Sequence, residues 1–367
     1  MKCDVGSIFK EYEKEFFAKH GSWMTVQQKK AYYAISRCQT GDLGSTVYQC
    51  RSCLKTHESN SSCGNRHCPL CQGNKTIDWV QAQLKKVLPV PYFLLTFTIP
   101  REIREYIYKN QKIAYSIMLE ASSETIKKLL LDKRYIGADL LGFTSILHTW
   151  GGMLQFHPHI HVLIPCGGIN KQNGNWVDGR ADFIFPVEAA SKIWRAKLIN
   201  SFKKKIGLKG IKCRMMDKNF IVHAKPAGTG VNAMKYLARY VFRVAIDNSR
   251  IIKVKDRRVY FKYRPKTKGK SKSRNMEVIE FIRSFMQHIL PRGFMKVRHY
   301  GFLHTNSSIS IDNVKFKICI MLDIIINELP EIQKFKQKIP ICKKCNMEML
   351  ILKTRSPVKR VSFNNTA

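Results

Sequence analysis

Three histidines fall within His157-Pro158-His159-Ile160-His161, at the head of the apolar run Val162-Leu163-Ile164-Pro165. In an extended strand, residues two apart project from one face, so His159 and His161 point together while Ile160 turns toward a core. Such a strand can offer two imidazoles to one metal ion. A third ligand is available from His148 on the preceding strand, or from His157, whose position depends on how Pro158 bends the chain. Imidazoles favour zinc, iron or another transition ion, whereas magnesium prefers oxygen and keeps waters. The spacing leaves the ion open.

Cys50-Arg-Ser-Cys53 and Cys68-Pro-Leu-Cys71 are two Cys-x-x-Cys knuckles separated by residues 54–67. Each tight turn presents two thiolates, and two turns at this separation suit one tetrahedral zinc. Cys63, His67 and Cys38 supply further ligands, enough for a second ion. Zinc held by four thiolates is closed to substrate, so its role is structural or DNA-contacting. Arg66, with Arg51 and Lys55, gives this module a phosphate-contacting surface. Cys342-Lys-Lys-Cys345 has no evident partner pair, and no second zinc ribbon is expected there; Cys3, Cys166, Cys213 and Cys319 are read as structural.

Tyr236 and Tyr240 lie at i and i+4 of a helical stretch that follows Pro226-Ala-Gly-Thr-Gly230, with Thr229 as its cap. Lys235 and Arg239 precede them and bring cations close. Two tyrosines at this spacing, taken alone, pack more often than they react. A phenol, whose pKa is ordinarily about 10, attacks phosphorus only with help from a metal-polarised phosphodiester and nearby positive charge. Attack in line would leave a 5′-phosphotyrosine and a free 3′-hydroxyl, with the phosphodiester kept activated for rejoining.

The composition agrees with a polyanionic partner. Sixty-four Lys and Arg against 26 Asp and Glu give a net charge of +38 over 367 residues, spread along the whole chain, and nucleic acid is the first candidate. The N-terminus has no apolar signal region and no run suits a membrane span. A reducing, cytoplasmic location is therefore expected, in which the clustered cysteines among the 12 bind metal rather than pair.

The positioning elements follow from periodicity. Residues 1–36 read as helical, and a helix is expected over 75–87. Strands are expected at 92–98, at 140–150 and 158–165 as a hairpin, at 182–185, and at 220–225. Helices are expected over 103–131, 187–206, and from Gly230 to about Ile246. A hairpin spans 251–263, a loop 265–275, a helix 277–290 and a strand 294–300. An apolar helix and a basic tail beyond about Thr354 close the chain. This pattern implies an α+β fold, one sheet with packed helices, divided into a helical segment (1–36), a zinc-binding module (37–88), a catalytic domain (89–305) and a C-terminal helical segment with a basic tail (306–367).

Taken in order, these motifs resemble the transposases of rolling-circle insertion sequences, which belong to the histidine-hydrophobic-histidine endonucleases of the two-tyrosine type. Cys63-Gly-Asn-Arg-His-Cys-Pro-Leu-Cys-Gln72 looks like the family's zinc signature, and Phe93-Leu-Leu-Thr-Phe-Thr-Ile-Pro100 like its first strand motif. His148-Thr-Trp-Gly with His157-Pro-His-Ile-His161 resembles its metal motif, and Tyr236-Leu-Ala-Arg-Tyr240 its paired-tyrosine helix. Phe281-Ile-Arg-Ser-Phe, Leu290-Pro-Arg-Gly-Phe and Arg298-His-Tyr-Gly-Phe302 are similar to later blocks. The resemblance, covering roughly residues 35–305, implies an antiparallel palm-like sheet carrying the histidine pair, with the tyrosine helix facing it. It also implies Mg²⁺ or Mn²⁺ at the histidines beside structural Zn²⁺. The implied substrate is single-stranded DNA, cleaved at insertion-sequence ends and joined to target DNA by Tyr236 and Tyr240.

A plasmid rolling-circle replication initiator or relaxase would share the histidine and tyrosine sites, but the leading zinc module and the blocks after Phe281 argue against it. An inactive zinc-finger DNA-binding remnant would share the knuckles, and the intact histidines and tyrosines speak against that.

Overall fold

The computed structural model describes residues 3–72, 82–207, 220–230, 232–233, 241, 243–265, 271–323 and 340–357. Three helices lead the chain, Val5–Glu11, Glu13–His20 and Val26–Ser36. The first and third start in capping boxes, Asp4 with Ser7 and Thr25 with Gln28, each of which ties two otherwise unpaired amides. Strands β1 (Ser45–Cys50) and β2 (Thr56–Asn60) follow, then β3 (Pro91–Thr98), β4 (Gly142–Trp150), β5 (Phe156–Pro165), β6 (Gly167–Ile169), β7 (Trp176–Asp178) and β8 (Ile221–Thr229). The second half holds β9 (Ile251–Lys255), β10 (Arg258–Tyr263), β11 (Lys272–Glu277), β12 (Val297–Gly301) and β13 (Met349–Arg355).

The expected α+β architecture is present. Five strands form one antiparallel sheet in the order β12-β4-β5-β3-β8. Alternation divides its residues between two faces. Phe93, Leu95 and Phe97 of β3, Phe143 and Leu147 of β4, and Ile160, Val162 and Ile164 of β5 are buried in one apolar cluster. The helices Gln111–Leu130 and Val187–Lys205 add Ile117, Met118, Trp194 and Leu198 to it. Each large apolar side chain removed from water there contributes roughly 1.5–3 kcal/mol. The opposite face carries Ile146 and Leu163, which join Val87, Leu88, Ala233 and Val241 in a second cluster.

Several expectations are corrected. No strand forms at 182–185, and the short glycine-rich hairpin β6–β7 occurs nearby instead. The helix expected over 103–131 is broken at Asn110 into Arg104–Lys109 and Gln111–Leu130. Pro226 does not end its strand: β8 is an edge strand, and the register shift opposite Tyr92/Phe93 accommodates the proline. The loop expected at 265–275 contains the start of β11, which is held by backbone pairing to β10 rather than by burial. The basic tail begins as β13, which pairs with β1. The N-terminal helices share a third cluster with Cys38, Cys68, Cys71 and with Val259, Phe261, Phe281 and Phe285 of the later hairpin and the helix Val278–Met286. Much of the helix expected over 75–87 lies outside the described residues. No described helix is long and apolar enough to cross a membrane.

Candidate metal centre and active site

Register brings the histidines together. His159 is the cross-strand partner of His148, and His161 that of Ile146, so all three imidazoles stand on the face opposite the main core. The Nε2 atoms of His159 and His161 are 3.1 Å apart. Two nitrogens bound at a right angle to one ion, each about 2.1 Å from it, would lie about 3 Å apart. The ligand atoms of His148, His159 and His161 all lie within 4.8 Å of one another. His157 is outside this group and instead places its carbonyl oxygen 2.7 Å from His159 Nδ1. A carbonyl only accepts, so Nδ1 of His159 carries the proton and Nε2 keeps its lone pair for a ligand. Thr96 Oγ1 sits 3.1 Å from His161 Nδ1 and fixes the orientation of that ring. Burial, aided by the charges of His159, Arg243 and Lys225, holds His161 well below its ordinary pKa and so in the neutral, metal-binding form.

The same face carries groups that the sequence reading passed over. Thr96 lies between His161 and His223 in the cross-strand row, which puts exposed His223 on the histidine side of β8. Lys225, two residues on, shares that face. Their i, i+2 spacing on an expected strand was the available signal. Tyr236, Tyr240, Lys235 and Arg239 lie outside the described residues. Ala233 and Val241, which bracket them in sequence, are buried with Ile146 and Leu163 on the histidine side of the sheet.

The cysteines sort differently from the expected pairing. Cys68 and Cys71 group with Cys38 and Cys63, whereas Cys50 and Cys53 group with Cys342 and Cys345. The two knuckles therefore do not share an ion: the chain folds them onto different partners. In the first group Cys71 Sγ is 3.6 Å from both Cys38 and Cys63 Sγ, near the roughly 3.8 Å expected between sulfurs about 2.3 Å from a tetrahedral zinc. His67 belongs to neither group; it is half-buried and its Nε2 accepts the Leu290 N–H at 3.2 Å. The Arg66 guanidinium donates to the carbonyl oxygens of Phe294 and Pro291, which fastens the cysteine module to the turn before β12.

This module adjoins the histidines. Trp150 packs against the cluster containing Cys38, Cys68 and Cys71, and its indole stacks on His148. His288 lies beneath, with Nδ1 3.2 Å from Thr149 Oγ1 and Nε2 3.2 Å from the Leu154 carbonyl oxygen.

Residues 8–99 match a family described as "Transposase zinc-binding domain", of the IS91 type. Residues 142–310 match one described as "Putative transposase". Over 320 residues, 82% of this chain and 80% of the relative, the chain is 32% identical to "Putative transposase y4qJ" of Sinorhizobium fredii (strain NBRC 101917 / NGR234). It is 24% identical over 287 residues, 72% of this chain and 68% of the relative, to "Transposase for insertion sequence element IS801" of Pseudomonas savastanoi pv. phaseolicola. No solved structure matches. The matched zinc-binding domain and the clustered thiols together support structural zinc. With the two domain matches in chain order and a relative aligned over most of its length, the chain belongs to the insertion-sequence transposase family that joins an IS91-type zinc-binding domain to a Y2-type transposase domain.

Proposed function

We propose that this transposase cleaves and rejoins single-stranded DNA at insertion-sequence ends through 5′-phosphotyrosine intermediates. The observation that carries this reading is the meeting of His148, His159 and His161 on one sheet face, with two Nε2 atoms 3.1 Å apart. A magnesium or manganese ion held there would neutralise charge on a scissile phosphate. Tyr236 and Tyr240 are the nucleophiles in this reading, since their bracketing residues Ala233 and Val241 lie on the histidine side. A phenolate oxygen attacks phosphorus, the bond to the 3′ oxygen breaks, and that oxygen leaves as a hydroxyl after taking a proton. Attack by a 3′-hydroxyl on the phosphotyrosine reverses the exchange, restores the phenol and joins a new strand, so no nucleotide cofactor is consumed. Lys235 and Arg239, with Lys225 and Arg243 nearby in the histidine field, supply positive charge for the backbone. Cys38, Cys63, Cys68 and Cys71 hold a structural zinc that keeps the leading module in place.

The test is covalent capture. Labelled single-stranded DNA from an element end is mixed with the purified chain, with and without Mg²⁺ or Mn²⁺. A metal-dependent protein–DNA adduct that disappears in the Tyr236→Phe, Tyr240→Phe double variant supports the reading. An adduct that persists in that variant refutes it. His159→Ala with His161→Ala should abolish adduct formation while DNA is still bound.

A further inference from the structure

We propose that Cys50, Cys53, Cys342 and Cys345 form a second zinc site, which fastens the C-terminal segment to the front of the molecule. The matched zinc-binding domain ends at residue 99 and contains only the first of these two pairs. The four ligand atoms lie within 4.8 Å of one another. Cys50 and Cys345 Sγ are 3.8 Å apart, Cys53 and Cys342 3.6 Å, and Cys342 and Cys345 3.8 Å. A tetrahedral zinc with sulfurs at about 2.3 Å requires about 3.8 Å between them, whereas a disulfide requires about 2.05 Å. The distances fit one ion and no disulfide.

The backbone repeats itself around the four sulfurs. In the first knuckle Leu54 N–H donates to Cys50 O at 3.1 Å and Cys50 N–H to Lys55 O at 2.9 Å. In the second, Asn346 N–H donates to Cys342 O at 2.8 Å and Cys342 N–H to Met347 O at 2.8 Å. The residue after each second cysteine is left-handed, Leu54 at φ 58° and Asn346 at φ 56°. Leucine rarely adopts that conformation, so two such turns, far apart in sequence and facing each other, answer a shared geometric demand. Turned backbone amides of this kind also aim at the sulfurs, as those of Cys345 and Lys344 do at Cys342.

Without an ion, little holds this sheet. β1 pairs with β13 on one side and β2 on the other. Yet every residue of β2 is exposed, and Met349 is the only buried residue of β13. Among the described residues, the buried cluster there contains Cys50, Cys342 and Met349, with Tyr48, Cys53 and Cys345 partly buried against it. An apolar nucleus that small does not offset the ordering of three strands, and metal binding is the usual substitute. Four thiolates select zinc among abundant divalent ions and leave no open position, so the site is structural. The proposal is independent of the strand-transfer reading, because it concerns zinc content and not cleavage.

The decisive measurement is zinc per chain in the purified full-length protein by elemental mass spectrometry. Two ions are expected in the parent chain. One is expected in Cys342→Ser/Cys345→Ser, one in Cys50→Ser/Cys53→Ser, and still one in the quadruple variant, because both pairs serve the same ion. Two ions in Cys342→Ser/Cys345→Ser, or none in the quadruple variant with one in each double, would overturn the site. Should the variants be insoluble, thiol alkylation of the parent chain decides. Cys53 and Cys345 should be protected relative to the similarly exposed Cys319 and become reactive together when a chelator removes zinc. Equal alkylation of Cys345 and Cys319 in the zinc-loaded chain would refute the proposal.

Discussion

The imidazole of His148 stacks on the indole of Trp150, with ring centroids 4.6 Å apart and 19° between planes. The two lie on β4 two residues apart, where the pairing with β5 shifts register, and the stacking keeps both rings on one side. Trp150 also packs against the cluster formed by the first cysteine group, the N-terminal helices and the helix Val278–Met286. The orientation of one candidate ligand thus depends on the packing of the leading module.

Trp150→Ala should therefore weaken metal binding without removing a ligand. Losing a group that orients a ligand typically costs 10–100-fold in metal affinity. Calorimetric titration with Mn²⁺ is expected to show a loss of that order, with Trp150→Phe recovering most of it. Equal affinity in Trp150→Ala and the parent chain would mean that His148 is held by its strand alone.

Acid should destabilise the fold through His288. Burial holds its imidazole down at about 4, against an ordinary 6.5, and its Nε2–H donates to the Leu154 carbonyl oxygen. The unfolded chain takes up a proton near 6.5 and the folded chain does not. The stability from this group is therefore complete above that pH and is lost as pH falls toward 4, at about 1.4 kcal/mol per pH unit for one proton. His288→Gln should make urea-unfolding stability fall less steeply across that window by about one proton. A slope identical to the parent's would show that His288 is charged in the fold.

The sheet and its histidines were readable because both rest on local rules. Alternation assigned Ile160 to the core and His159 and His161 to the other face, and β3 to β5 lie where alternation and apolar runs placed them. The choice of His148 over His157 needed cross-strand register, which neither strand carries alone. The partners of Cys50 and Cys53 lie almost 300 positions away, with 295 between Cys50 and Cys345, and no local spacing predicts a contact that a distant strand pairing creates. The carbonyl partners of Arg66 were hidden for a related reason: Pro291 and Phe294 lie more than 200 positions away.

Those carbonyl bonds set two behaviours of Arg66→Ala apart. If the guanidinium served phosphate, its removal would lower the salt dependence of single-stranded DNA binding by about 0.7 in log–log slope. As a fastener of the Pro291 and Phe294 carbonyls, its loss should cost about 1–3 kcal/mol of stability and leave that slope unchanged. Thermal unfolding and DNA titration over a salt series separate the outcomes, and a shallower slope at unchanged stability would return Arg66 to the DNA surface.

His223 gives the remaining prediction. It shares the cross-strand row of His161 and Thr96 but is separated from β5 by β3, so its backbone lies about 10 Å from that of His161, at about 4.8 Å per strand. That separation places it beside the ion-binding group rather than within it, and it is absent from the three-histidine cluster. A phosphodiester held at the histidine group and reaching toward β8 would bring its leaving or attacking oxygen within reach of the exposed imidazole. Proton transfer by a positioned histidine is typically worth about 10²–10⁴-fold. His223→Ala should accordingly slow adduct formation by at least about 10²-fold near neutral pH while Mn²⁺ affinity stays at the parent value. Loss of Mn²⁺ binding in that variant would make His223 a ligand, and an unchanged cleavage rate would leave it an ordinary exposed residue of β8.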